Sequence, residues 1–126
     1  MNHEKSWQFS IHSIIRGGKN HVGITRWGRR YPLKSWVVWR DRVVSDLKEI
    51  LKPSPERMIT KPCRMTVAYV PGDLKRRDLS AMLDSLFHCF EKAGLIEDDA
   101  LVTDLSWTVH SLDRNNPKVE VRLEEK

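Results

Sequence analysis

Residues 75–99 read KRRDLSAMLDSLFHCFEKAGLIEDD. Asp78 stands where a helix N-cap belongs, and Leu79, Met82, Leu83, Leu86, Phe87 and Phe90 recur at spacings of three and four, the apolar stripe of one helix face. Gly94 sits where a left-handed C′ residue ends a helix. At about 100° per residue, Ser80, Asp84 and Glu91 fall at the edge of that stripe or beyond it, and face outward. The basic residues Lys75, Arg76 and Arg77 lead into the helix, and the acids Glu97, Asp98 and Asp99 follow its stop. The helix between them is roughly 22 Å long, so Asp78 and the Asp98-Asp99 pair meet only if the following strand returns along it or the acids come together around the sheet edge.

On the N-terminal side, Trp7, Phe9 and Ile11 alternate with Gln8, Ser10 and His12, which predicts a half-buried strand over 6–15. Arg16-Gly17-Gly18 breaks it, and 16–33 shows no sustained period, an unusually long loop for a compact domain. Ser35 is the expected cap of a second helix. Trp36, Trp39, Val43, Leu47 and Ile50 form its stripe to about Leu51, and Pro53 and Pro55 end it. A strand follows from Pro62, with Met65, Val67 and Tyr69 on one face, closed by Pro71-Gly72. After the helix of 79–93, Leu105, Trp107 and Val109 alternate in a third strand and Val119, Val121 and Leu123 in a fourth. The turn between them suggests an antiparallel hairpin, with Glu124-Glu125-Lys126 as a frayed end.

The order β-α-β-α-β-β predicts an α+β fold, a small mixed sheet of about four strands with two main helices on one face, in one domain spanning 1–126. Apolar residues at 40% and charged residues at 31% are those of a soluble globular protein. No apolar run approaches the roughly 18 residues of a membrane span, and the polar N-terminal stretch lacks a signal-peptide core. A cytoplasmic location and no membrane partner are the expectation. Cys63 and Cys89 have no zinc-like neighbours, and read as buried free thiols.

The net charge of +5 and pI near 9.4 suit an acidic partner, nucleic acid first. Its distribution is more telling. Arg16, Lys19, Arg26, Arg29, Arg30 and Lys34 fall in a stretch without a single acid, while twelve of the seventeen acids come after Pro71. Arg26-Trp27-Gly28-Arg29-Arg30-Tyr31 interleaves guanidinium groups with rings, the mixture that grips phosphates and stacks on exposed bases, although a solvated loop has the same composition. Lys75, Arg76 and Arg77 beside a helix N-terminus can cradle a phosphate or simply be solvated. Asp78 has an ordinary reading as a cap, and Glu97-Asp98-Asp99 as a solvated turn. Should the carboxylates approach to about 4 Å, their repulsion of roughly 4 kcal/mol would be relieved by a divalent cation, with oxygen ligation suited to Mg²⁺ or Mn²⁺.

Arg76-Arg77-Asp78-Leu79 followed by Ala93-Gly94-Leu95-Ile96-Glu97-Asp98-Asp99 resembles the RusA family of Holliday-junction resolvases. The resemblance extends over most of the chain, including the aromatic-Arg-Asp step at Trp39-Arg40-Asp41. It implies a homodimeric, Mg²⁺-dependent endonuclease that nicks four-way DNA junctions in recombination, repair or phage DNA processing. Asp78 and Asp99 would be its metal-binding carboxylates, with Asp98 beside them. The sequence departs from the family pattern twice: Ser80 replaces an expected carboxylate, and Asp84 replaces an expected lysine. Two expectations follow. In one, Asp84 supplies from the next turn the carboxylate that Ser80 lacks and joins the catalytic set; in the other, the protein binds branched DNA with little or no cleavage.

Overall fold

The computed structural model describes residues 4–15, 22–24, 30–32, 34–75 and 77–126, with 22–24 and 30–32 described by backbone pairing alone. The chain forms two compact units. The first comprises Met1–Ile14, Pro53–Lys75 and Gly94–Lys126, the second Ile15–Lys52 and Arg76–Ala93.

The first unit is a four-stranded mixed sheet, built from β1 (Ser6–Ile11), β4 (Cys63–Val70), β5 (Val102–Val109) and β6 (Lys118–Glu125) in the order β1-β6-β4-β5. β6 runs antiparallel to both of its neighbours, and β4 and β5 are parallel. Period-2 alternation places the apolar residues of each strand on one face, and the register aligns them in rows. Trp7, Leu123 and Met65 form one row, Phe9, Val121 and Val67 the next, Ile11, Val119 and Tyr69 the third, and all nine are buried. The opposite face is a shallow trough lined by Gln8, Ser10, Thr66, Ala68, Glu120 and Arg122.

The expected hairpin between the last two strands does not form: β6 inserts between β1 and β4 instead. The positions set the burial: Val119, Val121 and Leu123 in the central strand are completely or almost completely buried, whereas Leu105 and Val109 at the edge remain 41% and 61% exposed. The connection is held in place by backbone bonds. His110 N–H donates to Tyr69 O (2.8 Å) and Asp113 N–H to Pro71 O (2.9 Å), so the chain passes the end of β4 before turning back. Asp113 Oδ1 then accepts from the amides of Asn115 (3.0 Å) and Asn116 (3.2 Å), an Asx turn that reverses it. Pro117 crosses Gly72 closely enough that a Cβ on the glycine would stand 2.8 Å from Pro117 Cβ.

Three further boundaries differ from the sequence reading. β1 ends at Ile11 rather than Ile15, although Ile15 is fully buried. The last residues are not frayed: Glu125 N–H donates to Lys5 O (2.9 Å), Lys126 N–H donates to Pro62 O (3.1 Å), and Glu125 is buried. The long loop contains a short antiparallel pair, β2 (Val22–Ile24) with β3 (Arg30–Pro32).

The second unit includes that pair and the helices α1 (Lys34–Leu51) and α2 (Leu79–Ala93). α1 begins at Lys34, which puts Ser35 inside its first turn rather than at the cap. Its buried stripe is Trp36, Trp39, Val43, Val44 and Leu47; Ile50, expected on it, is 68% exposed. In α2 the buried residues are Met82, Ser85, Leu86, Cys89, Phe90 and Ala93, while Leu79 at the first turn is 43% exposed. The helices are joined by a polar bond within apolar surroundings: the indole Nε1 of Trp36 donates to the buried Ser85 Oγ at 3.1 Å. His88 stands beside it, 5.4 Å from Trp36 between ring centroids. Such a bond fixes helix register, because burying either group unpaired costs about 1–3 kcal/mol. Gly94 follows α2 with φ +83°, the left-handed stop that its position predicts. No helix among the described residues is long and apolar enough to cross a membrane.

Two predictions test this packing. Gly72→Ala forces Pro117 to move and should cost about 1–3 kcal/mol, read as a lower urea midpoint at unchanged slope. Cys63 and Cys89 are free and buried. Burial, with Glu125 adding to it and Lys126 opposing, pushes the Cys63 thiol up. Burial pushes Cys89 up to about 12. Both thiols should resist alkylation at pH 8 and react once urea unfolds the chain. Since the unfolded thiol ionises near pH ~8.5, Cys89 should contribute a loss of stability of about 1.4 kcal/mol per pH unit from there toward its folded value. Cys89→Ser should flatten that stretch of the pH profile.

Candidate functional site

The acids singled out by sequence lie at the starts of regular elements. Asp78 is the N-cap of α2: its Oδ1 accepts from Ser80 N–H at 3.0 Å, and its carbonyl accepts from Met82 N–H at 3.1 Å. This is the geometry that places Asp at helix starts, since the side chain satisfies an amide that has no partner within the helix. The side chain remains exposed, as does Ser80. Asp84, one turn beyond Ser80 on the same face, is half-buried and held in further interactions, and Glu91 is exposed in the last turns of α2.

Asp98 and Asp99 belong to the sheet unit. Asp98 has extended backbone angles, φ −155° and ψ 141°, and caps a 3₁₀ turn over Asp99–Leu101 that runs directly into β5. Its Oδ1 accepts from Ala100 N–H at 2.8 Å and its carbonyl from Leu101 N–H at 3.1 Å. Both carboxylates are exposed.

What precedes this turn is buried and bonded within the sheet unit. Leu95 and Ile96 are buried, and Ile96 pairs in parallel with the buried Ile59. Ile59 N–H donates to Leu95 O (2.9 Å), and Glu97 N–H donates to Ile59 O (3.0 Å). Leu95 O accepts a second bond, at 3.1 Å, from the buried indole Nε1 of Trp7. The Arg57 guanidinium covers the Trp7 ring at 4.2 Å from its centroid. The acidic turn is therefore carried on backbone fixed from two directions, the condition under which a loop can present ligands with defined geometry.

The basic residues divide. Lys34 at the start of α1 and Lys75 before α2 are exposed, and Lys75 N–H is bonded to Asp73 Oδ1 at 3.0 Å. Arg77 is half-buried and has interactions of its own. Arg30 lies in β3, known through its backbone pairing with Ile24. Arg16, Lys19, Arg26, Arg29 and Arg76 lie outside the described residues. In the Trp39-Arg40-Asp41 step, Trp39 is buried, and Arg40 is bound to Asp41 (Nη2 to Oδ1, 2.7 Å) and lies 5.3 Å from the Trp36 ring centroid. That step braces the surface of α1 and commits its arginine to a neighbouring acid.

Sequence reasoning missed the supports rather than the acids. Trp7 reads as one residue of an alternating strand, and Ile59 carries no mark of its own; that two donors converge on Leu95 O has no signature in a single chain, because it depends on pairing between segments far apart in sequence. Ser85 did carry a signal, a lone hydroxyl on the apolar stripe of α2 that required a partner. By sequence comparison, neither a protein-family model nor a characterised protein matches the chain.

Proposed function

We propose that the protein is a Mg²⁺-dependent, structure-selective DNA endonuclease of RusA type, acting as a homodimer on four-way junctions. The observation that carries this reading is the state of the acids. Asp78 and the Asp98-Asp99 pair are exposed, and Asp78 and Asp98 are each fixed by a capping bond at the start of a regular element. In this reading Asp78 and Asp99 hold the metal with Asp98 beside them. Their all-carboxylate chemistry suits a hard cation, Mg²⁺ or Mn²⁺. The bound ion would supply Lewis-acid polarisation of a phosphodiester and stabilise the leaving oxygen. Lys75, Arg76 and Arg77 would face the phosphate backbone, with Arg16, Lys19, Arg26, Arg29, Arg30 and Lys34 along the junction arms. The positive net charge of +5 supports an affinity for DNA that weakens with salt.

The second reading, a branched-DNA binder without cleavage, is favoured by Ser80 and Asp84. Exposed Ser80 brings no charge to the first turn of α2, and half-buried Asp84 brings a negative one to the next. If Asp84 acts for the absent carboxylate, the pair of departures is a rearrangement of the site; if it does not, the site has lost both a ligand and a cationic group. Each factor of ten in rate is about 1.4 kcal/mol of transition-state stabilisation, so the loss of two such groups suffices to silence a nuclease.

A labelled four-way junction incubated with the protein and Mg²⁺ or Mn²⁺ should be cut by symmetric nicks. Asp78→Asn and Asp99→Asn should bind the junction as tightly and cut at least about a hundredfold more slowly. Tight binding without nicking in either metal would move the assignment to the non-cleaving binder, and equal affinity for duplex and junction would remove both readings. Asp84→Ala should weaken Mn²⁺ binding measured by calorimetry; unchanged metal affinity would exclude Asp84 from the ligand set.

A further inference from the structure

β5 is the last strand of the sheet, and among the described residues no strand lies on its outer edge. Edge strands of this length are ordinarily guarded by lysine, proline or a charged residue pointing inward, because an open edge pairs with other chains. β5 lacks all three. Over Val102–Val109 its only charge is Asp104, which is neutralised within its own chain by Arg64 at 2.9 Å and Lys126 at 4.0 Å. It also shows apolar surface. Leu105, Trp107 and Val109 continue the rows of Met65, Val67 and Tyr69, yet Leu105 and Val109 are 41% and 61% exposed and Trp107, 5.7 Å from the Tyr69 ring centroid, is half-buried.

We infer that β5 is the surface on which a second copy of this chain docks, by antiparallel pairing of the two β5 edges about Trp107. The occupant is argued from the strand's own complementarity. A two-fold axis perpendicular to a sheet preserves its faces, so an isologous antiparallel pair must be centred on a residue. Centred on Trp107, the pairing sets Trp107 against Trp107 of the second copy and Leu105 against Val109, apolar throughout. Ser106 meets Thr108, two hydroxyls, and Asp104 meets the exposed His110, a carboxylate against a ring with an N–H to donate. The His110 amide bonds Tyr69 O on the inner side, which extends the strand past Val109 and, by alternation, turns the N–H and C=O of Leu105, Trp107 and Val109 to the outer edge. No like charges oppose one another, and each aligned pair is of a kind that stabilises neighbouring strands. An apolar peptide from another protein would use the row of side chains but has no reason to match the polar pairs.

The inference deepens the two-copy part of the junction reading and rests on it for the number of copies alone; β5 and the acids can be tested apart. Sedimentation velocity over a range of protein concentrations should show a two-chain species. Leu105→Lys combined with Val109→Lys should reduce it to single chains at concentrations where the unsubstituted protein is fully paired, with far-UV circular dichroism unchanged. Ile50→Lys, at an exposed apolar position on α1, should leave the pair intact. Should the lysine variant fail to fold, Ser106→Cys with Thr108→Cys decides: oxidation should join two chains covalently, because Cys63 and Cys89 are buried and do not compete. A single-chain protein at every concentration, lysine variants that still pair, or cysteines that fail to join overturn the inference. Pairing through β5 without junction binding upholds it and removes the junction reading; junction binding by single chains does the reverse.

Discussion

The carbonyl of Leu95 accepts two hydrogen bonds, one from the amide of Ile59 and one from the indole of Trp7, and much of the sheet unit's order depends on it. A carbonyl has two lone pairs, and a buried one that satisfies both joins three segments of chain at a single point. Here those segments are β1, the approach to β4 and the stretch that follows α2. Their side chains close around the same point, since Trp7, Ile59, Leu95 and Ile96 are all buried. Without that junction, the residues between Gly94 and β5 would be an ordinary surface connection. With it, the acidic turn begins from a backbone as fixed as a strand, and Asp98 can cap the next turn with near-ideal geometry.

The insertion of β6 between β1 and β4 sets how each apolar row is covered. A central strand presents its row to neighbours on both sides, and an edge strand only on one. Val119, Val121 and Leu123 at the centre are therefore almost completely buried, while Leu105 and Val109 at the edge stay 41% and 61% exposed. The connection that permits it is narrow. Gly72 and Pro117 pass within van der Waals contact, so the crossing over the end of β4 requires a residue with no side chain at that point.

What the sequence made legible was local. Asp78 as a cap, Gly94 as a stop, the alternation in four strands and the stripes of two helices all follow from chemistry within a few residues, and the mixed sheet with two helices follows from their order. The errors arose where pairing partners are distant. Leu105, Trp107 and Val109 alternate as cleanly as Val119, Val121 and Leu123, so periodicity does not distinguish an edge from a centre, and a turn between two strands does not require them to be neighbours. Glu125 read as part of a frayed end; it is buried because the register of β6 against β4 extends to it and its amide bonds Lys5 O. Ile50 follows the helical period, but it lies at the last turn of α1, where the stripe emerges into solvent. Of the candidate site, the acids were legible as acids and as caps; the bonds that immobilise Leu95 were not.

The capping roles of Asp78 and Asp98 govern how any functional reading of them can be judged. Each carboxylate does structural work, so replacing it with alanine removes a cap worth about 0.5–2 kcal/mol and confounds a loss of fold with a loss of chemistry. Asparagine caps a helix about as well as aspartate and retains the side-chain oxygen, but it carries no charge and is a far weaker ligand for a hard cation. The Asp-to-Asn substitution therefore separates two functions that coincide in one side chain. The same coincidence explains why a cap is a serviceable place for a metal ligand: the bond to the helix or turn fixes the carboxylate's orientation through one oxygen, and the other lone pairs stay available. A cap and a ligand are thus compatible roles, and the charge, not the hydrogen bond, is what distinguishes them.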